Sequence, residues 1–127
     1  HVGNNEYYEI YNTLKEILFL QQYLSLNQIP HLFVSADIYL EDNAICRRHN
    51  EDISFRSLYS QINWNNWYLF PAGVESNETI TPRGFYQWAI ENKYNIGSDG
   101  HPLELAHQDA TELIKERFNE LVKKPVQ

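Results

Sequence analysis

Two residues near the carboxyl end, Asp99 and His101, are of the types that carry acid–base chemistry. They stand two positions apart in "SDGHPLELAHQDATELIKERF", residues 98–118. A carboxylate next to an imidazole orients the ring and stabilises its charged form, so the pair can take a proton from a hydroxyl and hand it to a leaving group. The same acid has a plainer use, because an Asp ahead of a helix accepts hydrogen bonds from the helix's free amide groups. Pro102 comes next, and its fixed φ predicts the start of the last helix. Ser35 closes an apolar run and is the serine best placed to be an exposed nucleophile.

The remaining histidines form no pattern of their own. His107 lies six positions after His101, which is not the i, i+4 spacing of two ligands on one helix face, so Asp109 beside it does not complete a metal site. The single cysteine, Cys46, excludes an internal disulfide and any zinc site built on cysteine pairs. No metal and no cofactor is expected. A second kind of chemistry is suggested by the aromatic cluster Trp64, Trp67, Tyr68 and Phe70, with Phe85, Tyr86 and Trp88 further on. Flat aromatic faces stack on sugars, and "WNNW" is polar between its rings, so Trp64 and Trp67 form a possible binding surface. The competing expectation is that most of these rings are core.

The elements that must position these residues follow from periodicity. Apolar residues Ile10, Tyr11, Leu14, Ile17, Leu18 and Leu24 recur at helical spacing from Glu6 to Leu26, with Asn4 or Asn5 as the cap and Asn27 and Pro30 as the stop. His31 to Ala36 reads as a buried strand of the parallel kind, covered on both faces. Leu40 to Asn50 reads as a loop or short helix. Asp52 then caps a helix carrying Ile53, Phe55, Leu58, Tyr59 and Ile62, followed by a strand from Trp67 to Phe70. Thr81-Pro82 opens a helix that runs to Lys93, with Phe85, Trp88 and Ala89 on one side. A loop precedes the last helix, whose stripe is Ala106, Ala110, Leu113, Ile114, Phe118 and Leu121. Alternating helices and short strands predict a layered α/β domain with a short, mostly parallel sheet.

With those residues placed, "DGHPLELAH" and the following "DATELI" resemble the last block of the SGNH (GDSL-like) hydrolase superfamily, where an Asp and a His precede a Pro at the final helix. Ala106-His107 stands where Gly-His is common in that family. The arrangement is also similar to the carboxyl-terminal half of SGNH-like proteins from phages and marine microbes. The resemblance implies a flavodoxin-like α/β/α sandwich and an esterase or carbohydrate deacetylase activity. Asp99 and His101 would be the acid and base of a Ser-His-Asp triad acting on a small-molecule or glycan ester. The family most often has two residues between acid and base, and this chain has one. Gly3-Asn4-Asn5 is similar to the block whose Asn donates to the oxyanion, which would make Asn5 that donor. The family's Gly-Asp-Ser block is absent. The alternative is a binding or assembly domain that keeps the fold without the chemistry, for a glycan or protein partner.

The totals narrow the field. Net charge is −7, from 17 acidic and 10 basic residues, so a phosphate backbone is repelled and nucleic acid is not an expected partner. No apolar run has the length of a membrane span. The cysteine usage demands no oxidising compartment, which points to a cytoplasmic rather than a secreted location. Asn77-Glu78-Thr79 fits a glycosylation sequon, a tripeptide too common to weigh. Residues 1–127 read as one α/β domain, and with no methionine and a His1-Val2 start, as the carboxyl-terminal part of a longer one. The oligomeric state is open.

Overall fold

The computed structural model describes residues 2–36, 53–71 and 84–123, with residues 2–7 by their backbone. In chain order it contains α1 (Val2–Leu26), β1 (Phe33–Val34), α2 (Ile53–Ser60), a 3₁₀ turn (Trp64–Asn66), β2 (Trp67–Tyr68), α3 (Phe85–Glu91) and α4 (Glu104–Lys123). β1 and β2 pair in parallel, Phe33 opposite Trp67 and Val34 opposite Tyr68. Parallel partners cannot be joined by a tight turn, and the crossover between them carries α2. The result is a small mixed α/β structure.

Two cores hold it together. In the first, Leu14 and Leu18 of α1 meet Phe55 of α2, Ile62 and Trp67. In the second, Phe70 meets Trp88 and Ala89 of α3 and Ala106 and Ala110 of α4, with Tyr68 packed against it. Adjacent strand residues face opposite ways, and Trp67 and Tyr68 accordingly serve different cores. Small residues on α4 let the indole of Trp88 and the ring of Phe70 sit close, their centroids 5.1 Å apart.

Helix ends explain several boundaries. α1 terminates with Gln28 at φ 55°, its N–H donating to the Ser25 carbonyl at 3.1 Å while Ile29 N–H reaches Leu24 at 2.9 Å. That pair of bonds is a Schellman motif. α3 ends the same way: Lys93 has φ 61°, Lys93 N–H bonds Ile90 and Tyr94 N–H bonds Ala89, each at 3.0 Å. The hydrophobic contact that accompanies the motif is Trp88 on Tyr94, 4.9 Å between centroids.

Several expectations change in detail. α1 starts at Val2 rather than Glu6, so Asn5 lies inside the helix and neither it nor Asn4 is the cap. β1 is two residues and not the run His31 to Ala36; among the described residues it pairs with β2, and Val34 is 39% exposed, so the strand is not covered on both faces as expected. β2 likewise stops at Tyr68, short of Phe70. α2 ends at Ser60, which leaves Ile62 beyond the helix but still in the core. Pro102 does not open α4: it forms an antiparallel bridge with Ile96, and the helix starts at Glu104. The expectations for Leu40 to Asn50, Asp52, Cys46, His49, the sequon and Thr81-Pro82 lie outside the described residues.

Candidate functional site

Asp99 and His101 sit on a hairpin between α3 and α4. Gly100 N–H donates to the Gly97 carbonyl at 2.9 Å, Gly97 N–H to His101 at 2.8 Å, and Leu103 N–H to Asn95 at 3.1 Å. With Gly100 at φ 85°, these bonds describe a tight turn followed by a left-handed glycine, the three-residue hairpin with a G1 bulge. Oδ1 of Asp99 accepts from the backbone N–H of His101 at 3.2 Å. The carboxylate therefore staples the turn, which is neither helix capping nor a direct hold on the imidazole. Both side chains are exposed, and Pro102 behind them is buried.

The aromatic run is used mostly inside. Trp67 is 5% exposed and stacks on Phe33, centroids 5.1 Å apart and planes 23° from parallel. Trp64 is half-buried between Tyr59 and Trp67, at 5.4 and 5.2 Å. Asn63 and Asn66 are the polar residues that support the turn. The Asn63 side chain accepts from Asn65 N–H at 3.2 Å, and the Asn66 amide meets His31 Nε2 at 2.7 Å. His31 Nδ1 lies 2.9 Å from the Ile29 carbonyl, which only accepts, so Nδ1 bears the proton and Nε2 accepts from Asn66. This histidine ties the end of α1 to the turn before β2. No spacing in the sequence signals that role, because its partners are 2 and 35 residues away.

Ser35 follows β1 directly and is buried, its carbonyl accepting from Phe85 N–H at 3.0 Å. It shares a cavity of about 230 Å³ with His107, not with His101. Asn5 belongs to the stretch described by backbone. The expected acid and base are thus neighbours on the hairpin, whereas Ser35 lies apart from them, in a cavity it shares with His107, a residue whose spacing assigned it no role. Trp64 and Trp67 form a third place, within the first core.

Among the described residues the most perturbed titrating group is Tyr94, which no sequence pattern marks. Tyr94 Oη donates to Asp109 Oδ2 at 2.6 Å, and this bond, with some burial and the nearby negative charge, pushes the phenol up to about 12. Tyr68 is also raised, by burial and by Glu116. Tyr94 and Asp109 lie 15 positions apart, and the intervening hairpin is what returns the chain so that they meet. Among the described residues, no group of three histidine, cysteine or acidic side chains could hold a metal ion, and no helix is long and apolar enough to cross a membrane. No protein-family profile matches the chain, and neither a curated protein nor a solved structure is similar to it.

Proposed function

We propose that the chain carries the acid–base arm of a Ser-His-Asp type hydrolase acting on an ester or acetyl group, on a layered α/β/α domain of SGNH type. The observation that carries the reading is the hairpin. Its backbone is fixed by three hydrogen bonds, and Asp99 is held beside His101 by accepting from that residue's backbone N–H at 3.2 Å. The imidazole of His101 and Oδ2 of Asp99 make no hydrogen bond among the described residues, which leaves both for a reacting partner. The opposite destinations of Trp67 and Tyr68 support the layered arrangement, since helices then lie on both sides of β2.

In this role His101 takes the proton of a serine hydroxyl as its oxygen attacks the carbonyl carbon. The imidazolium then returns that proton to the departing alcohol, and water releases the acyl group by the reverse sequence. Asp99 stabilises the imidazolium, which requires a carboxylate oxygen to turn from the backbone toward Nδ1. Hydrolysis of 4-nitrophenyl acetate by the intact protein is the test, with fluorophosphonate labelling as a second readout. His101→Ala abolishes both, and Asp99→Asn lowers kcat by roughly 10⁴-fold if it acts as triad acids do. Unchanged turnover in His101→Ala, or an intact protein that is neither active nor labelled, overturns the reading.

A second reading, an assembly domain, is favoured by the outer face of α1. Phe19, Tyr23 and Leu26, at i, i+4 and i+7, are 68%, 61% and 84% exposed, and Leu20 and Ile29 extend the patch. Residues 17–36 contain no Asp, Glu, Lys or Arg in a chain whose net charge is −7. The patch is on the order of 600 Å², close to the ~800 Å² that each partner contributes to a standard interface. A second copy is the occupant that fits: identical acidic chains repel elsewhere and can approach where the surface is neutral. Antiparallel pairing about Tyr23 sets Phe19 against Leu26 of the other copy. Sedimentation equilibrium is expected to show dimers for the wild type and monomers for Phe19→Glu/Tyr23→Glu. A wild-type chain that stays monomeric up to its solubility limit removes this reading.

A further inference from the structure

We propose that the cavity at the carboxyl ends of β1 and β2 binds a small neutral aromatic alcohol. This inference rests on neither reading above. Parallel strands point the same way, so their carboxyl ends open on one crevice, the place where α/β sheets take ligands. Ser35 follows β1 and Phe70 lies two residues past β2. Together with Phe85 of α3 and His107, Thr111 and Ile114 of α4, they line a cavity of about 230 Å³.

The lining is mostly apolar, with Ser35, Thr111 and His107 as its polar members. The rings of Phe70 and Phe85 lie 6.0 Å apart and tilted by 49°, and the imidazole of His107 packs on Phe85 at 4.8 Å. Aromatic walls of this kind favour an aromatic guest in an edge-on or offset pose. Thr111 Oγ1 donates to the His107 carbonyl at 2.7 Å, so its oxygen keeps lone pairs for a ligand donor. A dry cavity of about 150 Å³ holds benzene, and the larger space here takes a ring with one polar substituent. Charge selects among such substituents. Glu104 and Glu112 flank His107 and Thr111 on the adjoining surface, and the chain is acidic overall, so a carboxylate is repelled and a phenol or benzylic alcohol is not.

The test is a titration of the full chain with 4-methylphenol, followed by amide chemical shifts. Saturable shifts at Ser35, Phe85, His107 and Thr111 are expected, with His101 unmoved. Ala110 also lines the cavity, so Ala110→Leu fills it and weakens binding by at least about tenfold. Ile114→Phe does the same should Ala110→Leu fail to fold. Thr111→Val weakens 4-methylphenol but not toluene, which reads the polar contact separately. Shifts that do not saturate, that scatter over the surface, or that survive both filling variants overturn the proposal. Equal binding of 4-methylbenzoate overturns the choice of a neutral ligand.

Discussion

Gly100 has φ 85° and open space where a Cβ would point, so its substitution tests conformation without crowding. Gly100→Ala is expected to cost about 1 kcal/mol in urea unfolding, the penalty of a left-handed L-residue. Gly97 is the opposite case: a Cβ there falls 2.9 Å from Asp99 Oδ1 and 3.1 Å from Leu103. Gly97→Ala should therefore displace the carboxylate and release the His101 amide, visible as faster hydrogen exchange at that one residue. The Tyr94–Asp109 bond makes a pH prediction. Its phenol is raised from 10.0 to about 12, so the bond's contribution is complete below pH 10 and is lost as the pH climbs through about 12. Absorbance at 295 nm should show one tyrosine titrating near 12, returning toward 10 in Asp109→Ala. At this scale the sequence made the types and spacing of Asp99 and His101 plain. Spacing alone could not say whether the acid meets the ring or the backbone, since a turn of one more residue exchanges the two.

Elements were legible where side-chain periodicity is strong and less so where backbone geometry decides. The buried stripe of α1 and that of α4 were read directly from their apolar residues. The end of α1 at Leu26 was legible from Asn27 and Pro30, whereas α3 stops at Glu91, short of Lys93; the left-handed positions that close the two helices are Gln28 and Lys93 instead of glycine. Gln28→Gly is expected to raise stability by up to about 1 kcal/mol, measured by the same urea unfolding, since the motif then loses its steric penalty. The strands were placed correctly and drawn too long, since among the described residues β1 pairs with β2 alone and its apolar run continues as loop. Trp67 shows the limit of composition as a guide: the ring offered as a sugar platform is core, and its buried Nε1 has no hydrogen-bond partner among the described residues. Trp67→Phe removes that orphaned donor and should fall within about 1 kcal/mol of wild type, whereas Trp67→Ala costs roughly 3–5 kcal/mol.

For the molecule as a whole, charge separates the two functional readings. A −7 chain that pairs through a neutral face has to overcome long-range repulsion, so salt should strengthen its self-association by screening. Hydrolysis at a single active site has no such requirement. The alternation of helix and strand was legible and correctly implied parallel pairing; what composition could not convey was that the hydrophobic residues divide into two separate clusters. Trp67 belongs to one and Phe70 to the other, three residues apart on a single short stretch. Other bonds cross the seam between them: the amides of Phe85 and Tyr86 donate to the Ser35 and Ala36 carbonyls at 3.0 Å, and Arg117 reaches the Asn65 carbonyl at 3.3 Å. The halves should therefore let go together, and a calorimetric scan is expected to trace a single melting peak.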